Sequence, residues 1–270
     1  MQVEKSLGIY VETAEISSEY LERSVRIDCY FPLTGEDNKT MDLLLINDGQ
    51  DLVSMGFENI LAALRGENLI NPVFCVGIHC GENRMNEYGM ISSPDFKGRG
   101  ARASQYEKFI MEELLPYIHK RYASFTFPQR AFAGFSMGAL SALDLVWNHP
   151  ETFSRVGVFS GSLWWRSKDK NEKSFNEATD RLMHQQVRKG VYHPGMKFFF
   201  QCGELDEWED RNNNGVIDSI DDNIDRMKEL VAKGYREGTD FRYLQLPDGK
   251  HDVPTWAKAF PEFLKWGWGK

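Results

Sequence analysis

Two periodicities alternate along the chain. Residues 7–16 and 24–31 switch between apolar and polar positions in twos, the spacing of strands with one buried face, and Pro32 follows the second. Residues 41–46 and 73–78 are unbroken apolar runs, as expected of strands buried on both faces of a parallel sheet. Between them, residues 56–65 carry apolar side chains at helical spacing. Residues 106–122 place Phe109, Ile110, Leu114, Ile118 and Tyr122 on one side of a helix, which Pro116 is expected to bend. The alternation then repeats. It predicts strands at 131–133, 156–160, 197–202 and 241–246, helices at 139–148, 224–233 and 255–266, and a helical and loop stretch over 176–189. This is the signature of an α/β fold, with a mostly parallel central sheet, helices on both faces and antiparallel N-terminal strands. Right-handed crossovers bring the parallel strand ends to one edge, where loops build a site. No repeat, low-complexity tract or Pro/Ser-rich linker intervenes, so residues 1–270 read as one domain.

One pentapeptide, Gly134-Phe135-Ser136-Met137-Gly138, lies between an expected strand and an expected helix. In that context G-x-S-x-G forms a nucleophile elbow: the tight turn lifts the serine hydroxyl clear of the sheet, and glycines remove side chains that would collide. A serine needs a base to take its proton. Of the six histidines, His251 follows the last expected strand and the turn 247–250, beside the closing helix; His79, after the strand at 73–78, is the competitor. An acid must orient the imidazole. Asp206 lies just past the strand at 197–202, with Glu204 and Glu207 as alternatives. The chain order Ser136, Asp206, His251 is that of the α/β-hydrolases. Two amides should hold the oxyanion: Met137 N–H, after the nucleophile, and Gln50 N–H, in the Asn47-Asp48-Gly49-Gln50 turn after an early strand.

Composition narrows the partners. A formal net charge of −8 argues against nucleic acid or an anionic membrane surface. No apolar run approaches a membrane span, and residues 1–6 lack a basic-then-apolar leader, so a cytoplasmic location is expected. The four cysteines contain no CxxC pair and read as free thiols, which fits a reducing compartment.

Beyond these residues, the chain resembles the putative-esterase family of α/β-hydrolases, which includes esterase D-like enzymes, enterochelin esterases, feruloyl esterases and the antigen 85 mycolyltransferases. The resemblance is carried by Asp48-Gly49-Gln50, by Arg84-Met85-Asn86-Glu87-Tyr88-Gly89 and by the segments around Glu112, Ser136, Ser160, His251 and Pro261. It is greatest to the enterochelin-esterase-like branch. It implies an α/β-hydrolase core without a large lid and an acyl-serine mechanism on a small-molecule ester, with sugar and siderophore esters as candidates. An acyltransferase of antigen 85 type, or a non-catalytic carbohydrate- or ligand-binding homologue, are the alternatives. Trp164 and Trp165 could wall a substrate pocket or pack in the core. Arg84 could bind a substrate carboxylate or hydroxyl, or sit in a salt bridge.

Catalysis needs no cofactor in this scheme, but residues 210–221 carry a further pattern. Asp210, Asn212, Asn214, Asp218 and Asp221 stand at positions one, three, five, nine and twelve of an EF-hand-like loop, with Gly215 at six. With the Val216 carbonyl these would surround a structural Ca²⁺ that braces the nearby acid loop. Asp221 departs from the usual glutamate. The alternative is an Asn/Asp/Gly-rich turn.

Overall fold

In the computed structural model, residues 8–32 and 39–270 are described. Eight strands form one sheet in the order β1-β2-β4-β3-β5-β6-β7-β8. They are β1 (Ile9–Ser18), β2 (Arg23–Pro32), β3 (Asp42–Asn47), β4 (Val73–Ile78), β5 (Arg130–Phe135), β6 (Arg155–Phe159), β7 (Lys197–Leu205) and β8 (Phe241–Lys250). β1 pairs antiparallel with β2, and β2 antiparallel with β4; every pairing from β4 across to β8 is parallel. The expected antiparallel entry and parallel centre are therefore both present. Leu7, read as the start of the first strand, and residues 1–6, read for a leader, lie outside the described residues.

Strand alternation divides the core in two. Leu43, Leu45, Phe74, Val76, Phe132, Phe198 and Phe200 pack on one face, while Leu44, Ile46, Cys75, Ala131, Ala133 and Phe199 pack on the other. The continuous apolar runs are needed because both faces are covered. The second face is covered by α1 (Asp51–Met55), α2 (Phe57–Gly66) and α10 (Val253–Trp268), through Leu52, Phe57, Leu61, Phe260 and Phe263. On the first face lie α4 (Ala103–Lys108), a π-helical turn (Phe109–Leu114) and α5 (Leu115–Arg121), followed by α6 (Met137–Asn148), α8 (Leu182–Lys189) and α9 (Asp218–Lys233). Residues 137–147 of α6 are all buried, which matches its nearly all-apolar sequence.

Three local expectations change. The bend at Pro116 is the π-helical turn just ahead of it. A proline offers no N–H to the preceding turn, and the widened turn absorbs that loss. Residues 247–250, expected as a turn, continue β8, and Lys250 pairs with Leu205 across a register irregularity between Gly203 and Leu205. β8 is an edge strand, so Pro247 is tolerated there. Helix α9 begins at Asp218, earlier than its apolar spacing indicated, and the 176–189 stretch resolves into α7 (Glu177–Asp180) and α8. Among the described residues no helix is long and apolar enough to cross a membrane.

Candidate active site

Ser136 sits at the junction of β5 and α6 with φ +55° and ψ −122°. A positive φ is unusual for a side-chain-bearing residue and costs local strain. Neighbours hold it there. Ser136 N–H donates to Phe159 O (2.9 Å), and Ser136 O accepts from Ser162 N–H (3.1 Å) and Ala139 N–H (3.2 Å). Gly134 and Gly138 face each other across the turn: a Cβ on Gly134 would lie 2.4 Å from Gly138 O, and one on Gly138 would lie 2.6 Å from Asp48 Oδ2. Both glycines are thus required by close approach of backbone or carboxylate.

The loop after β3 is fastened directly to this elbow. Asn47, fully buried, donates from Nδ2 to Gly138 O (2.7 Å) and accepts at Oδ1 from Tyr106 OH. Asp48 has φ +60° and a buried carboxylate gripped at both oxygens by Arg84 Nε and Nη2, each at 2.7 Å. Burial works against the Arg84 charge, but Asp48 outweighs it and raises the guanidinium above its ordinary value. Gly49 N–H donates to Ile78 O (2.8 Å), and a Cβ on Gly49 would lie 2.4 Å from Gly77 C. The Gln50 side chain is engaged away from the turn, with Nε2 on Asp48 and Oε1 accepting from Cys80 N–H. Among the described residues neither Gln50 N–H nor Met137 N–H donates to a protein acceptor. Met137 N–H also opens helix α6, where the helix dipole favours negative charge.

His251 immediately follows β8. Its side chain is 42% exposed, and its Nδ1 lies 3.8 Å from Asp206 Oδ2. Asp252 accepts from Thr255 N–H (3.0 Å) and caps α10, which fixes the backbone beside the imidazole. The ring meets Trp256 edge-on at 5.6 Å; Trp256 stacks on Phe135 at 4.8 Å and donates to Ser160 Oγ. Through that aromatic pair His251 is tied to the residue before Ser136. Ser136 Oγ and His251 are not hydrogen-bonded to each other in this conformation. The Asp206 side chain is 1% exposed. Its Oδ2 accepts from Cys202 Sγ (3.5 Å), and its Oδ1 has no partner.

The other histidines are engaged elsewhere. His79 Nε2 lies 2.5 Å from Asp28 Oδ2. Burial raises the Asp28 carboxyl, but hydrogen bonds from Thr13 and His79 outweigh it and hold it below the ordinary range. His149 pairs with Glu107, His119 contacts Leu115 O, and buried His184 contacts Asp222 O. His193 packs edge-on against Trp147. Glu204, one alternative acid, is engaged by Gln245.

Two substrate-contact candidates have partners inside the protein. Trp165 is fully buried, donates to Ser93 O (3.2 Å) and fills the space left by Gly89 and Gly100, so it is a core side chain. Arg84 spends Nε and Nη2 on Asp48 and shapes the turn after β3. Trp164 is partly buried with the Arg99 guanidinium 4.5 Å from its ring centre.

In the 210–221 loop, Asp210 accepts from Asn214 N–H (3.1 Å) and Gly215 N–H (2.9 Å). Asn212 Oδ1 accepts from Asn214 N–H, and Asn214 Oδ1 from Val216 N–H. The Nδ2 groups of Asn212 and Asn214 both point at Asp221 Oδ2 (2.8 and 2.9 Å). Asp218 Oδ1 accepts from Arg211 N–H (2.7 Å), and its Oδ2 lies 3.6 Å from Lys170 Nζ. Among the described residues no group of three His, Cys, Asp or Glu side chains is arranged to hold a metal.

Sequence reasoning missed Asn47, Tyr106 and Cys202 as supports of this edge. Tyr106 lies 59 residues from Asn47 and carries no local signal beyond its place on an amphipathic face.

No curated protein matches the chain by sequence. Among solved structures, a ferulic acid esterase superposes with a TM-score of 0.70 at 19% identity, covering 96% of this chain and 97% of that one. The enterobactin esterase from Shigella flexneri, in the presence of enterobactin, gives 0.73 at 20% identity, covering 95% and 58%. The siderophore hydrolase EstB from Aspergillus nidulans gives 0.67 at 16% identity, covering 98% and 97%. The chain thus spans less than two thirds of the enterobactin esterase, and at these identities the likeness concerns the α/β-hydrolase fold. The sequence model of the putative-esterase family matches residues 18–266. The chain belongs to the putative-esterase family and is an esterase of α/β-hydrolase fold.

Proposed function

We propose that the protein is a serine carboxylic-ester hydrolase working through an acyl-serine intermediate. Ser136 is the nucleophile, His251 the base and Asp206 the acid that orients it; Met137 and Gln50 N–H hold the oxyanion. The observation that carries the reading is Ser136 held at positive φ in the strand–helix elbow, beside a turn whose Gln50 amide is unpartnered. The separation of 3.8 Å between His251 and Asp206, and the engagement of the other histidines, support the assignment.

His251 is exposed enough to turn toward Ser136 as substrate enters. Its Nε2 takes the hydroxyl proton while Oγ bonds to the ester carbonyl carbon. The C=O electron pair moves onto oxygen, where the two amides receive it. Collapse breaks the C–O bond to the alcohol, which leaves with the proton from His251. Water then adds to the acyl-serine by the same route, releases the acid and restores the hydroxyl. The substrate is a small-molecule ester, with sugar and siderophore esters as candidates; the named neighbours, a ferulic acid esterase and an enterobactin esterase, support a small-molecule ester. The four free thiols support a reducing, cytoplasmic compartment.

The 210–221 loop is proposed as a structural Ca²⁺ site. Asp210, Asn212, Asn214, Asp221 and the Val216 carbonyl would supply the oxygens, with the two amides turned over to face the ion. Asp218, whose Oδ1 also accepts from Arg211 N–H, completes that set at position nine.

The experiment is hydrolysis of p-nitrophenyl acetate by wild type and Ser136→Ala. Loss of turnover in a folded variant supports the reading, and equal turnover removes Ser136 from it. Product analysis with added alcohols separates hydrolysis from acyl transfer, which uses the same intermediate; predominant transfer would replace the hydrolase assignment.

A further inference from the structure

A cavity of about 220 Å³ lies between the loop after β6 and the loop after β7. Part of its lining is cationic and aromatic: Lys97, Arg99 and Arg166 with Phe96 and Trp164. The lining also includes Glu207, Glu209 and Asp218. Glu207 in this lining is the residue after Asp206 in the chain. Trp164 lies two residues beyond Ser162, whose N–H holds Ser136 O.

Three of the six charged lining residues are already matched. Arg99 is bound to Asp95 through Nε (2.8 Å) and Nη2. Glu209 pairs with Lys170, and Asp218 with Arg211. Burial pushes the Glu207 carboxyl above its ordinary range, against hydrogen bonds from Ser219. Lys97 and Arg166 are different. Neither has a carboxylate within ion-pair distance among the described residues. Both stand against the Phe96 ring, at 5.4 and 5.2 Å from its centre. Arg166 Nε is buried with no acceptor. Asp169 feels both cations, but lies beyond ion-pair distance of either, and its Oδ1 accepts from the Asn171 N–H and side chain. Two unmatched cations on one ring, in a chain of net charge −8, form a local site for negative charge on a molecule that otherwise repels it.

We propose that this cavity is a substrate subsite for an oxyanion, a carboxylate or phosphate carried by one arm of the ester that Ser136 attacks; the inference rests on the serine-esterase reading. The Arg166 fork and the Lys97 ammonium donate to the oxyanion, and Phe96 and Trp164 flank the arm's apolar stem. Anionic esters are selected because only they satisfy both cations.

The test compares kcat/KM for 4-acetoxybenzoate and 4-acetoxyphenyl phosphate with that for the neutral methyl 4-acetoxybenzoate. Wild type is expected to favour an anionic ester by about 10-fold or more at low ionic strength, and salt should erode the preference. Whichever anion is favoured identifies the oxyanion. Lys97→Met/Arg166→Met should abolish the preference and leave the neutral rate unchanged. No preference in wild type, or a preference that survives the double substitution, overturns the subsite. Should the variant fail to fold, benzoate and phenyl phosphate are tested as inhibitors of neutral-ester turnover by wild type. Competitive inhibition that weakens with salt supports the subsite, and no inhibition removes it. Neutral-ester turnover that persists in Ser136→Ala would instead sink the serine-esterase reading.

Discussion

Arg84 and Asp48 form a two-pronged ion pair behind the elbow: Nε and Nη2 of one each lie 2.7 Å from an oxygen of the other, and Asp48 is buried at φ +60°. The pair ties down the turn that carries Gln50, the proposed oxyanion donor, while Gly138 must lack a side chain to leave room for Asp48 Oδ2. Asp48→Asn leaves the half-buried guanidinium unmatched. It should lower stability by about 3 kcal/mol and turnover by about 10- to 100-fold. Denaturant unfolding and ester hydrolysis measure both; a variant with the stability and rate of wild type would show that the pair does not set the turn.

The same reasoning applies inside the elbow. Gly134→Ala brings a methyl to 2.4 Å from Gly138 O, a backbone atom with nowhere to move. Overpacking of this kind should cost about 3 kcal/mol. A melting temperature within a degree or so of wild type would contradict the tight approach.

Much of this was legible in the chain because parallel strands buried on both faces must be continuously apolar. The run at 73–78 coincides with β4 (Val73–Ile78) for that reason. The elbow was legible because its chemistry is local: five residues fix the glycines, the serine and the start of the helix. Long-range partners were not. Nothing near Asp48 announces Arg84, 36 residues away, and nothing near Trp165 says that Gly89 and Gly100 open the hole it fills. The strand status of 247–250 was hidden because it depends on β7 running alongside.

Asp144 supplies a pH prediction. Burial raises its carboxyl to about 6, although Ile91 N–H (2.7 Å) and Gln186 Nε2 (2.8 Å) bond to it. A folded-state value above the unfolded one means that its contribution is complete below about pH 4. That contribution is lost as pH rises to about 6, by roughly 3 kcal/mol, and is flat above. Subtracting the stability profile of Asp144→Asn from that of wild type should reveal this fall. A difference profile that is level, or that rises with pH, would contradict it.

The loop at 210–221 offers a test that does not involve activity. A cation bound only by the folded protein stabilises it by mass action, and 100-fold excess over the dissociation constant contributes about 2.7 kcal/mol. Calcium added to metal-stripped protein should therefore raise the melting temperature, and EDTA should reverse the shift. Asp210→Ala, which removes the acceptor for Asn214 and Gly215 N–H, should abolish the response. A stripped protein that melts identically with and without calcium would leave the loop as a self-bonded turn.

The central claim is that the Ser136 hydroxyl is the nucleophile. Treatment with a fluorophosphonate, followed by peptide mass analysis, reads this directly. The account predicts one covalent adduct on the peptide containing Ser136, formed much more slowly in His251→Ala and not at all in Ser136→Ala. A folded, ester-hydrolysing protein with no adduct, or with its adduct on another residue, would contradict it.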